Sequence, residues 1–303
     1  MQGVVLQGTG GQWQVRLPDG TTRVAALRGR VKHAAIAKLA VGDHVTLEHD
    51  DGNGAWAITE ILPRRSQLAR RAPTGAHGER VVVANLDQVV VVFAMVKPEP
   101  NEKMLDRFLV IAEANGIAAR IVINKVELAP RGAAAARFAP YAALGYPLHL
   151  TSRVTGEGLE GLHDALRGRV SALTGPSGVG KSSLLNALYP GIDLRVGAIS
   201  ESVNKGRHTT VGALMHPLPD GGYVVDTPGL REVGLWGVPS GELDRCFPEF
   251  VPVLDHCRFA DCRHLAEPHC GVRDALAAGR VSLSRYESYV KLREEIAETE
   301  RDW

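Results

Sequence analysis

The sequence predicts a multidomain protein with a small N-terminal β-barrel, a central α/β P-loop domain and a mostly helical, metal-binding C-terminal domain. Three observations carry this. Short strands and turns fill the first sixty or so residues, buried apolar runs then alternate with helical segments around a glycine-rich phosphate loop, and three cysteines crowd into fourteen residues near the end. At 303 residues the chain exceeds what one hydrophobic core usually supports. We place the barrel at residues 1–66, a linker at 67–80, the α/β domain at 81–237 and the C-terminal domain at 238–303.

In the barrel, Trp13, Val15 and Leu17 alternate with polar neighbours, Pro18-Asp19-Gly20 turns the chain, and Val45-Thr46-Leu47 and Ala55-Trp56-Ala57-Ile58 supply further strands. The proline-bounded stretch from Pro63 to Pro73 holds four arginines and little apolar periodicity, which fits either a solvated tether or a phosphate-contacting strip. From residue 80 onward Val89-Val90-Val91-Val92-Phe93, a helix around 102–114, Ile121-Val122-Ile123, a second helical region and Pro147-Leu148-His149-Leu150 alternate. Parallel crossovers follow from that order, with ligands expected at the carboxyl ends of the strands. The charged segment 281–302 reads as a surface helix.

Composition narrows the partners little. Hydrophobic residues make up 45% and charged residues 23%, and the net charge of +1 comes from 35 basic and 34 acidic side chains. Nucleic-acid binding would therefore depend on local patches and not on a global field. The sequence holds no membrane-length apolar run and does not begin like a signal peptide, so a cytoplasmic location without membrane contact is expected. In a reducing compartment the cysteine cluster points to metal and not to disulfides.

Gly175-Pro176-Ser177-Gly178-Val179-Gly180-Lys181-Ser182 fits G-x-x-x-x-G-K-[ST] in full, between the apolar run 170–174 and a helix opening at Ser183. Backbone N–H groups of such a loop cradle the β-phosphate, Lys181 neutralises the β/γ oxygens and the Ser182 hydroxyl ligates Mg²⁺. Asp226 ends the apolar run Tyr223-Val224-Val225 and is followed by Thr227-Pro228-Gly229. Alone this is an ordinary turn; forty-five residues after Lys181 it reads as the second Mg²⁺ carboxylate, with the Gly229 N–H placed to meet a γ-phosphate.

A P-loop alone admits adenine. Asn124-Lys125-Val126-Glu127 resembles the N-K-x-D guanine motif, whose acidic side chain accepts from guanine N1–H and the N2 amino group. Thr151-Ser152-Arg153, again after a strand, resembles the loop that contacts guanine O6. Both base-reading motifs precede the P-loop, the order a circular permutation produces. Between P-loop and Asp226, the polar stretch Asn204-Lys205-Gly206-Arg207-His208-Thr209-Thr210 suits a first switch, in which Thr209 or Thr210 caps the Mg²⁺.

Cys257-x₄-Cys262-x-His264-x₅-Cys270 offers three thiols and an imidazole, a set suited to tetrahedral zinc with no open position and hence a structural role. His256 and His269 are alternatives to His264, and Cys246 reads as an ordinary buried thiol.

With these motifs assembled, the chain resembles the ribosome small-subunit-dependent GTPase A family along nearly its whole length. The resemblance implies an OB-fold barrel, a permuted GTPase domain and a zinc domain, acting as a monomer on 16S rRNA and the 30S subunit in late maturation, with GTP and GDP as nucleotides. It departs from the usual pattern at Glu127, one methylene longer than aspartate, and carries Leu230 where many GTPases place a water-orienting glutamine. By the same resemblance His208 takes over the water. The competing reading is a zinc-stabilised RNA-binding protein that uses the nucleotide as a slow structural switch.

Overall fold

A computed structural model describes residues 1–28, 39–50, 54–71, 79–190, 213–226 and 238–301. The expectations placed on His208, Thr209, Thr210, Gly229 and Leu230 lie outside the described residues.

Strands β1 (Gln2–Thr9), β2 (Gln12–Arg16), β3 (Thr22–Leu27), β4 (His44–Asp50) and β5 (Ala55–Ile61) close into a barrel in the order β1-β2-β3-β5-β4. Alternation builds its core, with Val5, Val15, Ala25, Val45, Leu47 and Ile58 all turned inward. The β1–β2 hairpin turns on Gly10 and Gly11, whose φ angles of 61° and 85° suit a tight two-residue turn. A five-stranded closed barrel is the architecture expected of an OB-fold.

The segment expected to be a linker is partly built into the fold. β6 (Gln67–Arg71) pairs antiparallel with β7 (Glu79–Ala84), and Leu68 is fully buried. Arg64 is not a free tether residue either, because its Nε and second guanidinium nitrogen grip the buried Asp43 carboxylate at 2.7 and 2.8 Å. Arg65 reaches Asp87 at 3.0 Å. The seam between barrel and sheet is tight. A Cβ on Gly42 would lie 2.1 Å from the Ala84 carbonyl oxygen, and Asn85 donates to the Gly42 carbonyl at 2.9 Å.

The central sheet, built of β8 (Gln88–Ala94), β9 (Ala118–Asn124), β10 (Leu148–Thr151), β11 (Val170–Thr174), β12 (Leu214–Pro217) and β13 (Tyr223–Asp226), runs β10-β9-β8-β11-β13-β12, all parallel except the edge strand β12. β8 is buried along its whole length, as expected for a strand covered on both faces. β9 and β10 extend it to one side, β11 and β13 to the other. Val89, Val91 and Phe93 pack towards helix α1 (Glu102–Ala114) and towards Phe138 and Tyr141 of α2 (Ala133–Ala143). Val90 and Val92 pack with Leu162 and Leu166 of α3 (Leu159–Leu166) and Leu184 and Leu185 of α4 (Lys181–Leu188). Helix α1 starts where Asn101 caps it by accepting from the Met104 N–H at 3.1 Å.

The helical content of the C-terminal part is modest: two short 3₁₀ turns, Leu243–Cys246 and Val251–His256, then α5 (Gly271–Ala277) and α6 (Leu283–Arg301). Phe247, Phe250 and Tyr289 form its aromatic centre, with Phe247 and Phe250 stacked at 5.0 Å. Helix α6 is not simply a surface helix. Arg285, Ser288, Tyr289, Leu292 and Ile296 form a buried stripe at helical spacing, facing α1 and the aromatic centre.

Candidate nucleotide and metal sites

The phosphate loop leaves β11 and enters α4 at the carboxyl edge of the sheet, between β8 and β13. Two of its glycines are required by close approach. A Cβ on Gly175, at φ 129°, would lie 2.0 Å from the Val92 carbonyl oxygen; one on Gly180, at φ 93°, would lie 2.6 Å from Asn124 Nδ2. Lys181 folds back over the loop, its Nζ donating to the carbonyls of Gly175 and Pro176 at 2.8 and 2.7 Å. Ser182 and Ser183 stand in the first turn of α4, beside Lys181.

The two segments expected to read the base meet this loop from the neighbouring strands. Asn124, buried at the end of β9, donates through Nδ2 to the Val179 carbonyl at 2.9 Å and accepts from the Thr151 hydroxyl at 3.3 Å. Lys125, at φ 60°, spans to the Gly178 and Lys97 carbonyls at 2.7 and 2.6 Å. The 3₁₀ turn Val126–Leu128 then presents Glu127, whose Oε2 is buried and has no hydrogen-bond partner among the described residues. Such an atom needs a reason, since buried polar groups are nearly always paired. Ser152, fully buried after β10, accepts from the Thr155 N–H at 3.1 Å, and Arg153 beside it is exposed. Gly158 holds the loop against β10, for a Cβ there would lie 1.9 Å from the Leu150 carbonyl oxygen.

Asp226 ends β13 in register with Leu173 of β11, which puts its backbone at the same sheet edge as the P-loop. The sequence thus scattered over 124–226 returns to one edge of the sheet, and the strand order lets motifs that come first in the chain stand beside those that come last.

The second cluster sits in the C-terminal part. The ligand atoms of Cys257, Cys262, His264 and Cys270 all lie within 4.8 Å of one another. His264 Nδ1 is 3.5 Å from Cys257 Sγ and 3.3 Å from Cys270 Sγ, while the Cys257 and Cys270 sulfurs are 4.0 Å apart. Tetrahedral zinc–thiolate bonds place sulfurs about 3.8 Å apart, so the spacing fits one zinc. Of the histidines left open by the sequence, His264 is the one in the cluster; His256 and His269 are not.

Burial, and then the Cys270 and Cys257 thiols, push the Cys262 thiol up to about 12. Among these side chains alone it keeps its proton; a divalent cation supplies the charge that thiolate formation needs. Sequence reasoning missed Asp244, whose Oδ2 lies 3.2 Å from His264 Nε2. That contact fixes the imidazole with Nδ1 towards the sulfurs. No spacing signal could have found it, twenty residues upstream in a different turn. Glu267 shapes the loop between ligands: burial works against its charge, but backbone N–H groups, including those of Arg263, Leu265 and Ala266, hold its carboxyl down at about 2. Cys246 stays apart, buried against the Glu242 carbonyl.

Comparison with known proteins agrees with this architecture. The family model described as RsgA GTPase matches residues 61–236. The small ribosomal subunit biogenesis GTPase RsgA of Gemmatimonas aurantiaca is 63% identical over 297 residues, 97% of each chain. The protein of the same description from Azotobacter vinelandii is 42% identical over 95% of this chain and 83% of its own. Among solved structures, YjeQ from Thermotoga maritima superposes with a TM-score of 0.79 at 36% identity, covering 98% of both chains. YloQ, described as a circularly permuted GTPase, gives 0.76 at 26% identity over 98% of this chain and 95% of its own. A family model spanning more than half of the chain, and relatives alike along almost all of it, establish that this protein belongs to the RsgA GTPase family.

Proposed function

We propose that the protein hydrolyses GTP during late maturation of the small ribosomal subunit, binding 16S rRNA as a cytoplasmic monomer and turning over fastest on the 30S particle. The observation that supports guanine most directly is the buried Oε2 of Glu127, which has no partner among the described residues and stands three residues beyond an Asn124 that is itself tied to the P-loop. A guanine N1–H and amino group would satisfy that carboxylate, whereas adenine offers no such pair of donors. The name its relatives carry, small ribosomal subunit biogenesis GTPase, supports the choice of partner.

On this reading Lys181 releases the Gly175 and Pro176 carbonyls to neutralise the β/γ oxygens. The N–H groups from Ser177 to Ser183 cradle the phosphates, and Thr151, Ser152 and Arg153 shape the base pocket with Asn124 and Lys125. Ser182 and Asp226 are the residues that would hold Mg²⁺, with Thr209 or Thr210 completing its shell, and the ion supplies charge neutralisation between the β- and γ-phosphates. The Gly229 N–H senses the γ-phosphate, and His208 orients the attacking water on the 30S subunit. One structural zinc per chain is held by Cys257, Cys262, His264 and Cys270.

The test is GTP hydrolysis with and without purified 30S subunits. Strong acceleration is expected. An unchanged rate would leave the slow-switch RNA-binding reading in its place.

A further inference from the structure

A cavity of about 700 Å³ opens at the end of the sheet opposite the P-loop, where the parallel strands begin. Open α/β sheets bind their ligands at the carboxyl ends of the strands, so the nucleotide site makes no use of this end. Its centre is Gln88, the buried first residue of β8. Gln88 Nε2 donates to the Ala165 carbonyl at 2.8 Å and to Ser171 Oγ at 2.9 Å, which fixes the amide with Oε1 towards two arginines. Arg120 Nε on β9 reaches that oxygen at 3.2 Å, and Arg169, just before β11, at 3.4 Å.

Neither guanidinium has a carboxylate partner among the described residues. The two acids in the cavity wall are otherwise engaged: Asp87 with Arg65 and the Val170 N–H at 3.0 and 2.8 Å, Glu113 with the Tyr146 hydroxyl at 2.9 Å. Arg120 also meets His149 Nε2 at 2.8 Å. Burial and then the Arg120 charge push the imidazole down to about 4, so it is neutral near pH 7 and brings no further charge. Two cations therefore converge on one neutral oxygen, and half-buried Arg120 is penalised by desolvation and by Arg169. An anion placed between them would relieve that repulsion.

We propose that this cavity binds the phosphoryl group of a small phosphorylated molecule, of mononucleotide size or less, between Arg120 and Arg169. Guanidinium forks match phosphoryl oxygens in geometry, and both arginines have donors not used by Gln88 or His149. Leu144, Tyr146 and Pro147 give an apolar wall for the rest of the molecule, and the volume lies within the usual range for ligand pockets.

The experiment uses the full chain saturated with GDP and Mg²⁺, so that the P-loop is filled, titrated with inorganic phosphate and with AMP by calorimetry and phosphorus NMR. Saturable binding of at least one probe is expected. Because Arg169 is exposed, Arg169→Ala leaves the core intact; it should weaken that binding about tenfold to a hundredfold while GDP affinity stays unchanged. Arg120→Gln should do the same. Equal binding by wild type and both variants, or no saturable binding, overturns the proposal. Displacement of the probe by a short RNA oligonucleotide in an Arg169-dependent way would also overturn it, since the occupant would then be a nucleic-acid backbone.

Discussion

Arg285 on α6 and Asp106 on α1 meet at 2.8 Å with both side chains almost wholly withdrawn from water, at 4% and 1% exposure. The pair is one edge of a larger network. Arg285 also grips Glu249 through Nε and its second terminal nitrogen at 2.7 and 3.1 Å, and its guanidinium lies 4.6 Å over the Phe247 ring. Asp106 takes further bonds from the Tyr141 and Ser288 hydroxyls. One cation thus serves two buried carboxylates and joins the last helix to α1, while Tyr141 of α2 is tied in through Asp106.

Removing the cation alone should be costly, because two carboxylates stay buried without their counter-charge. Arg285→Met should destabilise the chain by about 3–5 kcal/mol, and Arg285→Lys should recover little because an ammonium cannot reproduce the fork. Chemical denaturation checks this. A loss below about 1 kcal/mol would show that water enters and screens the site.

Asn124→Ala removes the donor to Val179 and the acceptor for Thr151 while leaving the strand intact. GDP affinity should fall about tenfold to a hundredfold. Glu127→Ala should lose a similar factor for GDP with ADP binding unaltered, so the preference for guanine shrinks. Competition against a labelled guanine nucleotide measures both, and equal competition by GTP and ATP in the wild type would remove the guanine assignment.

The freshly purified protein should contain one zinc per chain by elemental analysis. Asp244→Ala leaves all four ligands in place but frees the His264 ring, and should raise the rate and extent of zinc loss to a chelator, with affinity about tenfold to a hundredfold weaker. Zinc retention identical to wild type would show that the ligands alone set the geometry. Cys246, pushed up to about 12 by burial and then by nearby carboxylates, should stay unreactive towards a thiol reagent at pH 8 in the native protein.

His208→Ala should keep GTP binding and 30S association and lose the stimulated rate by about a hundredfold in single turnover. Lys181→Ala should instead weaken the triphosphate itself. An unchanged stimulated rate in His208→Ala assigns the water to the backbone or to ribosomal RNA.

Stability should fall as pH drops from about 6.5 towards 4, in part through His149. Between those values the unfolded chain binds a proton that the folded imidazole, buried beside Arg120, refuses, so acid favours unfolding there. Above the upper value neither state is protonated, and below the lower one both are. His149→Gln should flatten the slope of stability against pH within that window, as read from denaturation midpoints.

The nucleotide loop was legible because its residues answer to local backbone demands: Gly175 and Gly180 stand where no side chain fits, and Lys181 follows at fixed spacing. The metal ligands were legible for the same reason of short range. What stayed hidden was charge acting as core. Leu68 is a buried strand residue masked by the arginines around it in the sequence, and Arg285 puts a charge at a buried position of the α6 stripe. Asp244 and Arg169 depend on partners brought from distant segments, and periodicity carries no trace of such pairings.

The strand order has a bearing on biosynthesis. As the chain leaves the ribosome, β8 is the first strand of the central sheet to emerge, β9 and β10 then add outward on one flank, and β11 afterwards takes the free flank of β8. Only β13 enters between two neighbours, and it does so already paired with β12 as an antiparallel hairpin. Each parallel strand therefore finds an open edge waiting, no finished ladder has to be reopened, and the permuted gene order is compatible with vectorial assembly of the sheet from its centre outward.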